Sequence, residues 1–522
     1  MPARAMLILM DGAEPELLDA WVADGRLPAF AALREGGGEC RLDNPMGTLP
    51  GALWREIFDS CSSGNHGFFY HQKQLRSGSA RFGRIARSEV DATRHFWNAA
   101  SRSGLRCAVL DVPDAVAVPD LDGIQLLEWG VHEPEFAGTQ SLPESFLDEV
   151  NDRFGPHPVR SGSQGSCDRY PKTDAGCERL LADLEEGLNR REALFLDVLN
   201  RETWDLFVCS ASELHCAGHH LWRYHDVRCR DHDPGAPERL RHALATIYQR
   251  VDRLLGKLTA AAGTDCNILF VAPKGMTDLT GGIQLLPEVV ARLGLSSNAA
   301  PEKSLLREAQ FKVKQMAPKG LYRVLRRIAK TKVVDQVQRS AGVSLEPFES
   351  PATKAAPVPN NRIGAIRLNL KGRDPHGEVA PGDEARAILK RLSDELMALR
   401  VADSGEPAVR RVLLSDELYG EDRHPDLPDL LVEFRQDLGP IEAVSSPSLG
   451  TVARPFGKIL NRRSGDHTAN AVMIAKGPGF EGYRLADGGV LDIAPTVLAL
   501  LGVAIPNIYE GQSLLRKTAT AT

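Results

Sequence analysis

The sequence predicts a layered α/β protein: a mostly parallel sheet with helices on both faces and an inserted cap region. Three observations predict it. Short, nearly continuous apolar runs occur at 6–10, 107–112, 206–209, 267–271, 430–434 and 471–475, as expected of strands buried on both faces. Helical patterns lie between them, at 15–23, 180–200, 238–261, 383–399 and 492–501. Strands alternating with helices argue for a layered sheet. Polar residues follow several runs directly: Asp11 after the first, Ser210 to Glu213 after the third, and Ala272 to Met276 after the fourth. Ligands of open α/β sheets bind beyond the carboxyl ends of the strands, so the chemistry-bearing residues fall where a site belongs.

The chain has 522 residues, enough for one large domain with a cap or for two to three smaller domains. Hydrophobic residues make up 43% and charged residues 25%, ordinary for a chain that buries a core. A net charge of −6 gives no global reason to expect nucleic-acid binding. The nine cysteines are irregularly spaced and contain no C-x-x-C pair, which fits a reducing compartment and a cytoplasmic protein. The apolar start at 6–10 is too short for a signal peptide and runs into Asp11-Gly12. No stretch approaches the roughly 20 apolar residues that a membrane span needs.

The segment 303–332 stands apart, with ten basic residues against one acid, Glu308, and apolar residues interleaved. It reads as one or two basic amphipathic helices within an insertion or cap over 286–360. A solvated edge and a surface for an anionic polymer, headgroup or phosphorylated substrate both suit it. The tail 516–522 is expected to fray.

Four local constellations carry chemistry. Asp11-Gly12 ends the first strand with a carboxylate suited to a divalent cation, though an Asp here also suits a helix N-cap before Pro15. Thr48 precedes a Pro/Gly turn, where helix amides would hold a phosphoryl oxygen and favour an alkoxide; a simple cap is the alternative. Glu213-Leu-His215-Cys-Ala-Gly-His219-His220 follows the strand 206–209. His215 and His219 are four apart and share one face if helical, so with Glu213 they can form a zinc half-site; a structural histidine pair is the rival. His467, in Ser464-Gly-Asp-His467, can complete a three-histidine site with an open position.

Taken in order, these segments resemble the type I phosphodiesterase/nucleotide pyrophosphatase family of the alkaline phosphatase superfamily. The carriers are Leu7-Ile-Leu-Met-Asp-Gly12 with Gly25-Arg-Leu-Pro-Ala-Phe30, the stretch 48–67, and 204–226 with its Leu-Trp-Arg-Tyr-His-Asp. To these add 363–373, 464–480 and Leu491-Asp-Ile-Ala-Pro-Thr496. The resemblance implies an alkaline-phosphatase-like core over 1–285 and 361–515, a two-zinc site and a Thr or Ser nucleophile. Carried over by position, Asp11 and Thr48 match the second-metal side, and His219 and His467 the first. His215 stands where the family has Asp. The family's Ser-Asp-His-Gly is here Ala272-Pro273-Lys274-Gly275. Proline offers no ligand atom and a protonated lysine only donates.

The expectation is therefore one Zn²⁺ on His215, His219 and His467, with Glu213 and Asp11 as further candidate ligands. Lys274 replaces the second metal, pairing with Asp11 and activating Thr48 toward a phosphodiester, phosphonate or related anionic ester. The substrate would be a small molecule or a glycan- or lipid-linked ester. The alternative is a catalytically degenerate member that binds an anionic ligand or partner.

Overall fold

The first strand, β1 (Arg4–Met10), shows why an apolar run without alternation forms the middle of a sheet. Met6, Ile8 and Met10 point into one hydrophobic cluster, and Ala5, Leu7 and Leu9 into another on the opposite face. Each fully buried side chain of this size stabilises by about 1.5–3 kcal/mol, so both faces must be covered. The computed structural model describes residues 4–35, 37–44, 52–70, 74–130, 138–161, 166–229, 231–296, 348, 352–358, 360, 362–453 and 463–517.

The remaining strands of this sheet are β2 (Gly38–Asp43), β3 (Cys107–Val112), β4 (Gly123–Leu127), β5 (Gln140–Leu142), β6 (Leu206–Ala211) and β7 (Cys266–Ala272). After a short ladder of β8 (Gly275–Asp278) with β9 (Gly465–Thr468), the sheet gains β10 (Ala471–Lys476) and β11 (Gly488–Gly489). The nine strands run in the order β11-β2-β10-β7-β1-β6-β3-β4-β5. From β7 to β4 all pairings are parallel, whereas β10 runs antiparallel to both β7 and β2. The first cluster is closed by α1 (Pro15–Ala23), α2 (Asp174–Leu199), α3 (Glu213–His225) and α4 (Ala243–Ala262). The second is closed by Trp54, Phe58, Phe96 and Trp97 with α5 (Ile493–Leu500). This is the layered, mostly parallel architecture with helices on both faces that the sequence predicts.

The chain divides into two compact units. The first comprises Met1–Ser62, Ala86–Leu279 and Arg462–Thr522, and holds the nine-stranded sheet. The second comprises Ser63–Ile85 and Thr280–Asn461. This division differs from the expected one, which placed 361–461 in the core. Among the described residues those strands build their own antiparallel sheet: Ala355–Val358, Gly364–Leu368, Leu430–Phe434 and Val409–Leu414 in that order. Leu286, Val289, Leu392 and Leu396 close its separate core. The run 430–434 is buried throughout, and a run apolar on both faces reads alike in either sheet. The basic segment 303–332 lies outside the described residues, as does Thr48.

Candidate metal centre

Three strand ends of the first unit converge chemically. Strand β6 leads through Ser212 into α3, which has Glu213 in its first turn and Arg223 and His225 in its last, the charge order that suits a helix dipole. Nearly every residue of α3 is buried, so its polar side chains must find partners within the protein. His215 and His219 lie one turn apart on it, with ring centroids 4.5 Å apart. His467 arrives on β9, its centroid 4.7 Å from each of them. One nitrogen of each imidazole lies within 4.8 Å of the others, and all three residues are buried.

Local geometry explains the convergence. After β1 the chain turns at Gly12, with φ +81° and a position where a Cβ would stand 2.9 Å from the His215 Cα. Only glycine permits both the left-handed backbone and that approach. The β8–β9 ladder pairs Gly275 with Thr468 and Met276 with His467. Glu14 ties this ladder to the loop after β1. Its Oε2 accepts from the Met276 N–H at 2.9 Å and from the Thr468 hydroxyl at 3.0 Å, and its Oε1 accepts from Asn470 Nδ2 at 2.9 Å. A Cβ on Gly275 would meet Glu14 Oε2 at 2.0 Å. Burial raises the Glu14 pKa against these hydrogen bonds.

The charges are ordered. Lys274 Nζ, after β7, is 3.3 Å from Asp11 Oδ1, and His215 Nδ1 is 2.8 Å from Asp11 Oδ2. Burial opposes ionisation of Asp11, but Lys274 and His215 outweigh it and hold the carboxyl well below its usual range. Burial, then Arg463, drives the His219 pKa well below its ordinary value; burial, then Lys274, does the same to His467. Both shifts favour the neutral imidazole, the form that binds metals. His219 Nδ1 donates to the Gly465 carbonyl at 2.8 Å, which leaves the Nε2 lone pair facing Arg463 Nη1 at 3.1 Å. Three imidazoles at this spacing fit one borderline divalent cation with an open position.

Glu213 corrects the expected ligand set. It lies two residues before His215, about 200° round the helix, and joins a different cluster. Its Oε1 accepts from Arg191 Nε at 2.7 Å and pairs with His157 Nε2 at 2.9 Å, while Arg191 also grips Asp111. Asp11, also weighed as a helix cap, does not cap α1: Glu14 occupies the N-cap position. Pro273 contributes only its carbonyl, which accepts from Asn44 Nδ2 at 2.8 Å.

Sequence reasoning missed Arg463. Its Nη1 lies 3.1 Å from His219 Nε2, and its Nε and Nη2 donate to the two oxygens of Asp168 at 2.9 and 2.5 Å. Asp168 Oδ1 is 3.3 Å from His220 Nε2, and Lys172 Nζ is 2.8 Å from His220 Nδ1. Arg463 stands one residue before the Ser464–His467 motif, which was the available signal. Asp168 is 295 residues away and gave none.

The type I phosphodiesterase / nucleotide pyrophosphatase family model matches residues 5–449. The backbone is similar to that of phosphonoacetate hydrolase from Sinorhizobium meliloti 1021 in complex with phosphonoformate. The TM-score is 0.51 at 12% identity, over 97% of this chain and 96% of that one. Human ectonucleotide pyrophosphatase / phosphodiesterase 5 aligns with TM-score 0.47 at 12% identity, over 98% and 100% of the two chains. At such identity the first likeness speaks to fold alone. A stretch of 49 residues is 49% identical to 2,3-bisphosphoglycerate-independent phosphoglycerate mutase from Ruegeria sp. (strain TM1040), covering 9% of this chain and 10% of that protein.

Proposed function

The chain belongs to the type I phosphodiesterase / nucleotide pyrophosphatase family, and on that premise we propose that it is a hydrolase of phosphodiesters, phosphonates or related anionic esters, using one Zn²⁺ and a fixed lysine. The observation that carries the reading is the meeting of His215, His219 and His467 within 4.8 Å, with the Lys274–Asp11 pair, at 3.3 Å, touching His215 through Asp11. When bound, the metal supplies a Lewis acid toward an anionic oxygen.

The protein's own groups do the rest. The three imidazoles, two of them favoured in the neutral form by burial and neighbouring cations, would hold the ion. The Lys274 ammonium presents positive charge where the family has two more ligands and stabilises charge that develops on the reacting group. Asp11 holds Lys274 and His215 in register. Thr48 is the nucleophile in this reading. No helix of the described residues is long and apolar enough to cross a membrane. All nine cysteines are buried free thiols, which supports a reducing compartment and a cytoplasmic location.

The second reading, an anion-binding member without turnover, draws on Arg463 standing 3.1 Å from the ligating nitrogen of His219. Assays of the full-length chain with added Zn²⁺ against a phosphodiester, a phosphonate and a sulfate ester separate the two. Turnover of one class that falls in both Lys274→Ala and His219→Ala upholds the hydrolase. A wild type inert toward all three removes it.

A further inference from the structure

The group Cys167, Asp168 and His220 places its ligand atoms within 4.8 Å of one another, beside the three-histidine centre. A metal there would meet two cations. Both Asp168 oxygens are already bound by Arg463, and Lys172 stands against His220. The cluster is a mount for a guanidinium. His220 and Arg463 hold the Asp168 carboxyl well below its usual range, although burial opposes this. The pairing through Nε and Nη2 fixes the plane of the guanidinium. That plane carries Nη1 to 3.1 Å from His219 Nε2. The site is thus flanked by two held cations: Lys274, fixed by Asp11, and Arg463, fixed by Asp168.

We propose that Arg463 is a substrate-binding residue, holding an anionic oxygen of the ligand at the three-histidine centre, and that the Asp168–His220–Lys172 chain positions it. The ligand class that follows is a phosphoryl or phosphonyl group with at least two anionic oxygens, or one with a second acidic group. A single fixed charge would suffice for a simple diester; two fixed charges suit a doubly charged group. The placement of Arg463 in a hydrolytic cycle rests on the hydrolase reading, whereas anion binding by Arg463 does not.

The test uses the full-length chain and inorganic phosphate as the probe, by isothermal titration calorimetry. A lost charge-assisted hydrogen bond costs about tenfold to a hundredfold in affinity, and Arg463→Met is expected to weaken phosphate binding by that factor. Arg463→Lys keeps the charge without the two-point mount and should retain part of the affinity. Asp168→Asn should weaken binding less than Arg463→Met. If Arg463→Met does not fold, as judged by its thermal transition, Arg463→Lys and Asp168→Asn decide. In turnover, Arg463→Met should raise KM for an ester with a second anionic group by more than it raises KM for a singly charged diester, a selective split that a merely structural role would not produce. Arg463-dependent phosphate binding in an inert wild type leaves this inference standing while the hydrolase reading falls. Wild-type affinity in Arg463→Met, or no phosphate binding by wild type, overturns it.

Discussion

Two charged clusters meet at the strand that ends at Ala211, one also drawing on β3 and the other on β1, β7 and β9, and they differ in how their charges are satisfied. In the first, Arg191 joins Asp111, Glu213 and the Ser210 carbonyl, with His157 against Glu213. The guanidinium is fully buried and its positive charge faces two carboxylates. In the second, His215, His219 and His467 meet ring to ring, with the cations Lys274 and Arg463 at the edges. The first cluster pairs acid with base within the protein. The second gathers lone pairs of like kind, an arrangement that gains from an added cation and, beside it, an anion. Charge at a strand end does not by itself mark a site; the mismatch of donors and acceptors does.

The largest effect should come from breaking the first cluster. Arg191→Met leaves two buried carboxylates facing each other, and removal of one partner of a buried pair costs about 3–5 kcal/mol. Urea unfolding should show that loss, whereas His219→Ala, which removes no partner of a buried ion pair, should cost less. A stable Arg191→Met would erase the contrast.

Lys274→Ala should lower turnover by about 10²–10³, the scale of removing one charge-stabilising group from a reaction centre. Lys274→Arg should recover part of the rate. Steady-state kinetics at saturating metal measures both, and an unchanged kcat would move the fixed cation out of the chemistry.

Gly12→Ala sharpens the link between backbone and site. The left-handed backbone and the 2.9 Å approach to His215 should cost about 1–2 kcal/mol. Metal affinity, read by competition with a chelator, should weaken with it. Full affinity would mean that the turn does not position His215.

The last effect is a pH dependence. Arg191 and His157 outweigh burial and hold Glu213 at about 2, below its ordinary 4.5. A depressed carboxyl stabilises the fold above its unfolded value, and that contribution is lost as pH falls from 4.5 toward about 2. Relative to wild type, Glu213→Gln should show a flatter loss of stability across this acid range. A parallel slope would remove Glu213 from the linkage.

Much of this was legible in the sequence. Pro15–Ala23, Cys107–Val112 and Leu430–Phe434 form the elements expected at those residues, because an apolar run or a 3.6-residue period reports burial directly. The i,i+4 spacing of His215 and His219 likewise placed both rings on one face. Proximity in sequence misled for Glu213, since two residues along a helix point to opposite sides. The helix expected over 238–261 is split at His242 into Glu238–Arg241 and Ala243–Ala262. The mount of Arg463 was invisible because Asp168 and His220 reach it through tertiary contacts with no local signature. The direction of Leu430–Phe434 was hidden by burial on both its faces.

The most direct test of the three-histidine centre is metal stoichiometry by native mass spectrometry after loading with Zn²⁺. The wild type should carry about one ion per chain, and His219→Ala and His467→Ala, folded by their thermal transitions, should carry none. A wild type with no ion, or either variant retaining a full one, would contradict the account.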